Sequence, residues 1–453
     1  MKSINPYSGE LIKEYKNNSL SEVVEIIELQ NDAYLLWRKT SFLQRSELMK
    51  KTAKLLRENA DKYAKIITNE MGKIIGESRA EVEKCANLCD FYADNAENFL
   101  RNEIIETDAD LSYIKYEPIG TIFAIMPWNF PFWQVFRFAI PNIMAGNTAL
   151  LKHSPNVNGC ALIIEEIFTK AGFPKNIFKS ILIPVELAEN VISHDLIKGV
   201  TLTGSHKAGS AVASLAGKYL KKSVLELGGS DPYIVLKDAE INESCKNGTC
   251  SRMMNSGQVC ISAKRFLVEE EIVEDFIKKQ KSILENMTLG NPLDENIDMG
   301  PMARFDLVEN IHHQVTESIK MGAKLICGGE ISKENKMFYK PTLLTNVKKG
   351  MPVLEEETFG PVSVVIPVKD ADEAVKIAND SMFGLGASIW TKDFKKCEEI
   401  ANKIEAGAVF VNGMTKSDPR LPFGGIKKSG YGRELSRHGI REFMNIKSVW
   451  IKR

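Results

Sequence analysis

Residues 199–227 read GVTLTGSHKAGSAVASLAGKYLKKSVLEL. Gly199 to Leu202 is a short apolar run, which reads as a strand. Gly204-Ser205 then opens a helix of small residues that continues through Leu220. Ser223 to Leu227 is a second short apolar run. Strands alternating with helices imply a parallel sheet wrapped on both faces. The alternation extends upstream to Gly120–Met126 and Thr148–Leu151. Downstream it continues through Tyr233–Leu236, Phe266–Val268, Val362–Val368, Gly386–Trp390 and Ala408–Val411. The fold class is therefore α/β, with one such unit ending near Gly229 and a second starting near Asp231. Ligands of these sheets bind beyond the carboxyl ends of strands, and Lys152, Ser205 and Glu226 stand at such ends.

The flanks read differently. Ser19-Leu20-Ser21-Glu22 has capping-box spacing, with helical periodicity through Trp37. A second helix is predicted over Leu43–Met71, stopped at Gly72, and a third over Ala80–Leu100. Arg101–Pro118 and Lys427–Arg453 read as extended, half-polar strands that fit neither unit.

Composition narrows the function. A chain of 453 residues is too long for one hydrophobic core, so at least two domains are expected. Lys+Arg and Asp+Glu both number 59, so no net field draws the chain to nucleic acid or to an anionic membrane. The polar start Met1-Lys2-Ser3 has no apolar run behind it, and the most apolar stretches are only strand-length. A cytoplasmic protein is the expectation. None of the eight cysteines has zinc-type spacing, and no metal site is expected; seven of them read as buried small hydrophobes. His312-His313 is no exception, because adjacent helical residues face different ways.

The eighth cysteine is different. Gly257-Gln258-Val259-Cys260 and Leu225-Glu226-Leu227-Gly228-Gly229 offer a thiol and a carboxylate, 34 positions apart and each beside glycine. Glycine admits a ligand or a second backbone where a side chain would block it. An ionised thiol attacks a carbonyl carbon, and a carboxylate can activate the water that hydrolyses the resulting acyl-thiol.

With Pro127-Trp128-Asn129-Phe130-Pro131 upstream and Glu357-Thr358-Phe359-Gly360-Pro361 downstream, the chain resembles the aldehyde dehydrogenase superfamily from Ile4 to its C-terminus. The resemblance implies an aldehyde-dehydrogenase-like fold. Residues 1–100 and 119–229 would form the cofactor-binding domain and 230–426 the catalytic domain. Segments 101–118 and 427–453 would form an arm that joins subunits into a homodimer or homotetramer. It also implies roles: Cys260 as nucleophile, Glu226 as general base, and Asn129, with the Cys260 backbone N–H, as stabiliser of the oxyanion. Lys152 would hold the adenosine ribose and Gly204-Ser205 the pyrophosphate. Glu357 would hold the nicotinamide ribose and Phe359 the nicotinamide ring, with Trp128 and Leu227 beside the cofactor. The usual G-x-G-x-x-G dinucleotide signature is absent.

Two positions speak to specificity. Arg137, six residues beyond Pro131, matches an arginine that succinate-semialdehyde dehydrogenases carry after the same motif. Ser417 matches a serine that helps them hold the same substrate carboxylate. The chain looks most like the short bacterial branch of that group, which implies succinic semialdehyde as substrate. Glutarate semialdehyde and general aliphatic aldehydes are the alternatives. Pro155 stands where NAD-preferring relatives often place a glutamate. Lys152 and Ser154 then meet no carboxylate that would repel a 2′-phosphate, so NADP is expected to be preferred, with NAD usable.

Overall fold

The computed structural model describes residues 1–453. Two mostly parallel sheets dominate it. The first runs Gly430–Tyr431, Lys222–Glu226, Ile197–Thr203, Thr121–Met126, Thr148–His153, Phe178–Ser180. Only Gly430–Tyr431 is antiparallel, pairing with Leu225 and Glu226. The chain starts in the middle strand, Thr121–Met126, and winds outward in both directions. That creates a switch point between Thr121–Met126 and Ile197–Thr203, where the loops leaving the two strands part and open a crevice. The loops that leave it are Pro127–Pro131 and Gly204–Ser205.

The second sheet runs Lys324–Cys327, Thr342–Thr345, Val362–Val368, Ala263–Glu269, Asp231–Val235, Gly386–Trp390, Ala408–Val411, antiparallel only at its first pair. Its central strands Ala263–Glu269 and Val362–Val368 are buried but for Pro367 and largely apolar, as a sheet covered on both faces requires, with Lys264, Arg265 and Glu269 the charged exceptions in the first. The chain passes between the sheets through Leu227–Ser230. The carboxyl end of Lys222–Glu226 thus faces the amino ends of Asp231–Val235, Ala263–Glu269 and Val362–Val368. Glu226, Cys260 and Glu357 all come from these facing ends.

The predicted strands Val362–Val368, Gly386–Trp390 and Ala408–Val411 coincide with those observed. The capping box at Ser19 and Glu22 forms, and Gly72 ends its helix at φ +83°. Three expectations need correction. The helix over Leu43–Met71 is two helices, Phe42–Glu58 and Ala60–Met71. The break is Asn59, whose side chain bonds back to the Leu55 carbonyl, an asparagine competing with the helix for a backbone partner. The next helix, Ile75–Phe99, begins a turn earlier than Ala80 and so includes Glu77. Segment 427–453 is not extended throughout. Met444–Ile451 pairs along its length with Leu111–Pro118, and Glu103–Ile104 adds a third strand. Residues 430–441 instead close the edge of the first sheet and form the short helix Ser436–Arg441.

The cysteines also differ from expectation. Five are buried, but Cys250 is exposed and Cys327 intermediate, and all eight are free thiols. Cys250 sits on helix Ile241–Met253, whose buried side holds Cys245 and Thr249 instead. His312 is half-buried and His313 exposed. No group of three potential metal ligands occurs, and no helix is long and apolar enough to cross a membrane.

Candidate active site

Cys260 stands at the end of a strained turn. Asn255, Ser256 and Gly257 take φ of +51°, +54° and +73° in succession. Two non-glycine residues there cost of order 1–3 kcal/mol each. Gly257 is obligatory: a Cβ would lie 2.2 Å from the Gly360 carbonyl oxygen. Buried groups hold the turn. The Asn255 N–H donates to Glu77 at 3.0 Å and its amide to the Asn129 carbonyl at 2.8 Å. Ser256 donates to the Gly300 carbonyl. The fully buried Arg252 donates to the carbonyls of Gly257, Thr358 and Val362, tying this turn to the Glu357 loop.

Asn129 is buried and gives one amide proton to the Gln258 carbonyl at 3.0 Å. An amide nitrogen has two protons, so one donor remains for an oxyanion. Glu226 is buried at the end of its strand. Arg137 Nη2 holds its Oε2 at 3.2 Å, while Oε1 has no hydrogen-bond partner. Burial pushes the Glu226 carboxyl up, with Arg137 pulling it back. Cys260 keeps some exposure to the cleft, yet desolvation holds its thiol well above the ordinary range. Glu226 adds to that, and Arg137 and Lys264 oppose it. Each group shifts the other, so the thiol and this carboxylate are neighbours.

Glu357 meets Lys264 at 3.2 Å and the Gly229 N–H at 3.1 Å, and Lys264 also donates to the Cys260 carbonyl at 2.7 Å. Gly228 leaves room for this carboxylate, since a Cβ would lie 2.2 Å from Glu357 Oε2. Trp128 and Phe359 meet edge-to-face at 5.8 Å. At the carboxyl end of strand Thr148–His153, Lys152 is buried and makes no ion pair; burial lowers its pKa, with Glu186 opposing, and a phosphate or ribose would suit it. Pro155 follows Ser154, whose hydroxyl bonds Asn156 at 2.7 Å. The Gly204 N–H is already used by the Glu226 carbonyl. Ser205 caps helix His206–Lys218, so the free donors at that turn lie beyond Gly204. Leu227 bonds the Ser429 carbonyl and packs over Gly209.

The structure gives Arg137 two acidic partners of its own. The guanidinium lies on the wall of the cleft, but two acids hold it: Glu226, and Glu434 with Nε–Oε2 at 2.5 Å. All three side chains are at most 7% exposed. Glu434 is pushed up to about 7, by burial first, against Arg137 and with Glu226 adding. One cation is thus shared by two carboxylates and is not free to meet a third as its main partner. Removing one member of such a buried set costs about 3–5 kcal/mol, because the remaining charges stay desolvated and unpaired. Arg137→Ala should therefore lower unfolding free energy by about that much. It should also impair charged and uncharged aldehydes alike. Denaturant unfolding with kinetics on both substrates checks this; unchanged stability with a selective KM increase for a carboxylate-bearing aldehyde would restore the reading from sequence.

A cleft of about 650 Å³, open to solvent, leads to Cys260. Three basic residues line it, Lys84, Arg137 and Lys416, and no acidic one. Ser417 is there too and accepts from Lys84 at 2.7 Å. Sequence reasoning missed Lys84, Glu77, Lys264 and Glu434. A signal existed for three of them. Glu77, Glu81 and Lys84 recur at helical spacing on the side of Ile75–Phe99 that also buries Cys85 and Leu88. Lys264 interrupts an otherwise mainly apolar, wholly buried strand. Nothing local marks Glu434.

Comparison with known proteins gives the family. The model of the aldehyde dehydrogenase family matches residues 1–449. A probable NADP-dependent succinate-semialdehyde dehydrogenase of Synechocystis sp. is 47% identical over 449 residues, 99% of each chain. A succinate semialdehyde dehydrogenase of Escherichia coli K12, named for NAD(P), is 44% identical over 99% of this chain and 97% of its own. Among solved structures, succinic semialdehyde dehydrogenase from Streptococcus pyogenes in complex with NADP superposes with a TM-score of 0.98. It is 36% identical, with all of both chains covered.

Proposed function

The chain belongs to the aldehyde dehydrogenase family, and from that premise we propose that it oxidises succinic semialdehyde to succinate with NADP, and more slowly with NAD. The observation that carries the substrate is the cleft beside Cys260, lined by Lys84, Lys416 and the ion-paired Arg137 and by no acid. Such a lining favours an aldehyde with an anionic tail over a neutral one of the same length. The relatives' names support the same substrate and the same cofactor.

The chemistry follows from the residues around the thiol. Cys260 releases its proton to water in the open cleft and adds as the thiolate to the aldehyde carbon, giving a thiohemiacetal. The free amide proton of Asn129 and the Cys260 N–H offset the charge on its oxygen. NADP, when bound, accepts the hydride that leaves this carbon. Glu226 then takes a proton from water through its unpartnered Oε1, the water attacks the thioester, and the acid departs with the thiol restored. Aldehyde, oxidised cofactor and water thus give acid, reduced cofactor and a proton. Lys152 and Ser154 suit the adenosine ribose and its 2′-phosphate, the donors beyond Gly204 and at Ser205 the pyrophosphate, and Glu357 with Phe359 the nicotinamide half. The three-stranded arm exposes Ile104, Ile446 and Trp450, which supports association between copies as a homodimer or homotetramer. Eight free thiols agree with a reducing, cytoplasmic setting.

Steady-state kinetics with succinic semialdehyde and butanal, each with NADP and NAD, tests the proposal. We expect kcat/KM to favour succinic semialdehyde by roughly 10²-fold, the worth of one or two charge-assisted hydrogen bonds, and NADP over NAD. Equal values for the two aldehydes would remove the substrate; a strong NAD preference would remove the cofactor.

A further inference from the structure

The three cations on the cleft are not equivalent. Arg137 is matched by Glu226 and Glu434, and Lys416 is exposed to solvent. Lys84 is only partly exposed, lines the cleft, and has no carboxylate within ion-pair distance. Its ammonium donates to Ser417 at 2.7 Å and sits 4.0 Å from the centroid of the Trp133 ring. An ammonium has three protons. Ser417 takes one and the ring face attracts the charge, which leaves donors and an uncompensated positive charge on the wall that carries Cys260. The carrier is rigid: one turn earlier on the same helix, Glu81 is ion-paired with Lys73 and accepts from the N–H groups of Phe132 and Trp133 at 2.8 and 2.9 Å. The helix that presents Lys84 is thereby fixed to the loop that presents Asn129.

Building on the substrate reading above, we propose that Lys84, held by Ser417 and Trp133, is the cation that receives the substrate's carboxylate and sets the preference for acidic aldehydes. Burial, with Arg137 nearby, brings its pKa down to about 8, as expected of a cation still lacking its anion. Arg137 on this account braces Glu226 and Glu434.

The test compares the wild type with Lys84→Met, Lys84→Arg and Ser417→Ala, using succinic semialdehyde and butanal, with succinate as inhibitor of butanal oxidation. Lys84→Met should raise the ratio of KM for succinic semialdehyde to KM for butanal by about 10- to 100-fold and weaken succinate inhibition in parallel. Lys84→Arg should restore most of both, and Ser417→Ala should shift the ratio in the same direction by less. A wild type that prefers succinic semialdehyde, with an unchanged ratio in Lys84→Met, would overturn the role of Lys84 and leave the substrate standing. A wild type with no preference between the aldehydes would overturn both.

Discussion

Cys260→Ala should lower dehydrogenase turnover by at least about 10⁴-fold with every aldehyde, the scale on which removal of a covalent nucleophile acts. The site offers no substitute. The other cysteines are buried in the cores or lie away from the cleft, and no other thiol lines it. The strained turn Asn255–Gly257, held by Arg252, leads directly to this side chain. Binding of NADP, read by quenching of protein fluorescence, should survive the change, because the candidate cofactor contacts lie on other residues. Activity above about a hundredth of the wild type would mean that another group carries the carbonyl carbon.

Glu226→Gln acts later. The first turnover should still release one equivalent of reduced cofactor per active site, after which the rate should fall by as much as about 10⁴-fold, the upper range for loss of a general base. Glutamine keeps the shape and can still meet Arg137, but it cannot take a proton from water. Glu434 remains to balance the Arg137 charge, so the fold should tolerate this change better than loss of Arg137 itself. Rapid mixing, with absorbance of the reduced cofactor, separates the burst from the steady state. A rate reduced equally from the first turnover would assign Glu226 to the attack step instead of the hydrolysis.

The sequence discloses local pattern well and pairing poorly. Val362–Val368 and Gly386–Trp390 are legible because a strand buried on both faces is a bounded apolar run. The break at Asn59 was not, since helical periodicity continues through it on both sides and only the side-chain bond to Leu55 marks it. The glycines beside Cys260 and Glu226 drew attention to both segments, and the contacts at Gly228 and Gly257 show the close approaches that need them. Arg137 shows the limit. An arginine in an apolar helix announces a buried anion, but not which one, and Glu434 lies 297 positions further on in a segment that reads as extended. Lys84 is the converse case: the lysine was visible, but that no acid reaches it is a property of the folded chain.

The most direct measurement is the mass of the cysteine peptides after Glu226→Gln is mixed with succinic semialdehyde and NADP and quenched in acid. The peptide that carries Cys260 should gain one succinyl group in near-stoichiometric yield, and the same experiment without NADP should give none. A succinyl group on a different cysteine, or continued turnover with no modified peptide, would contradict the account.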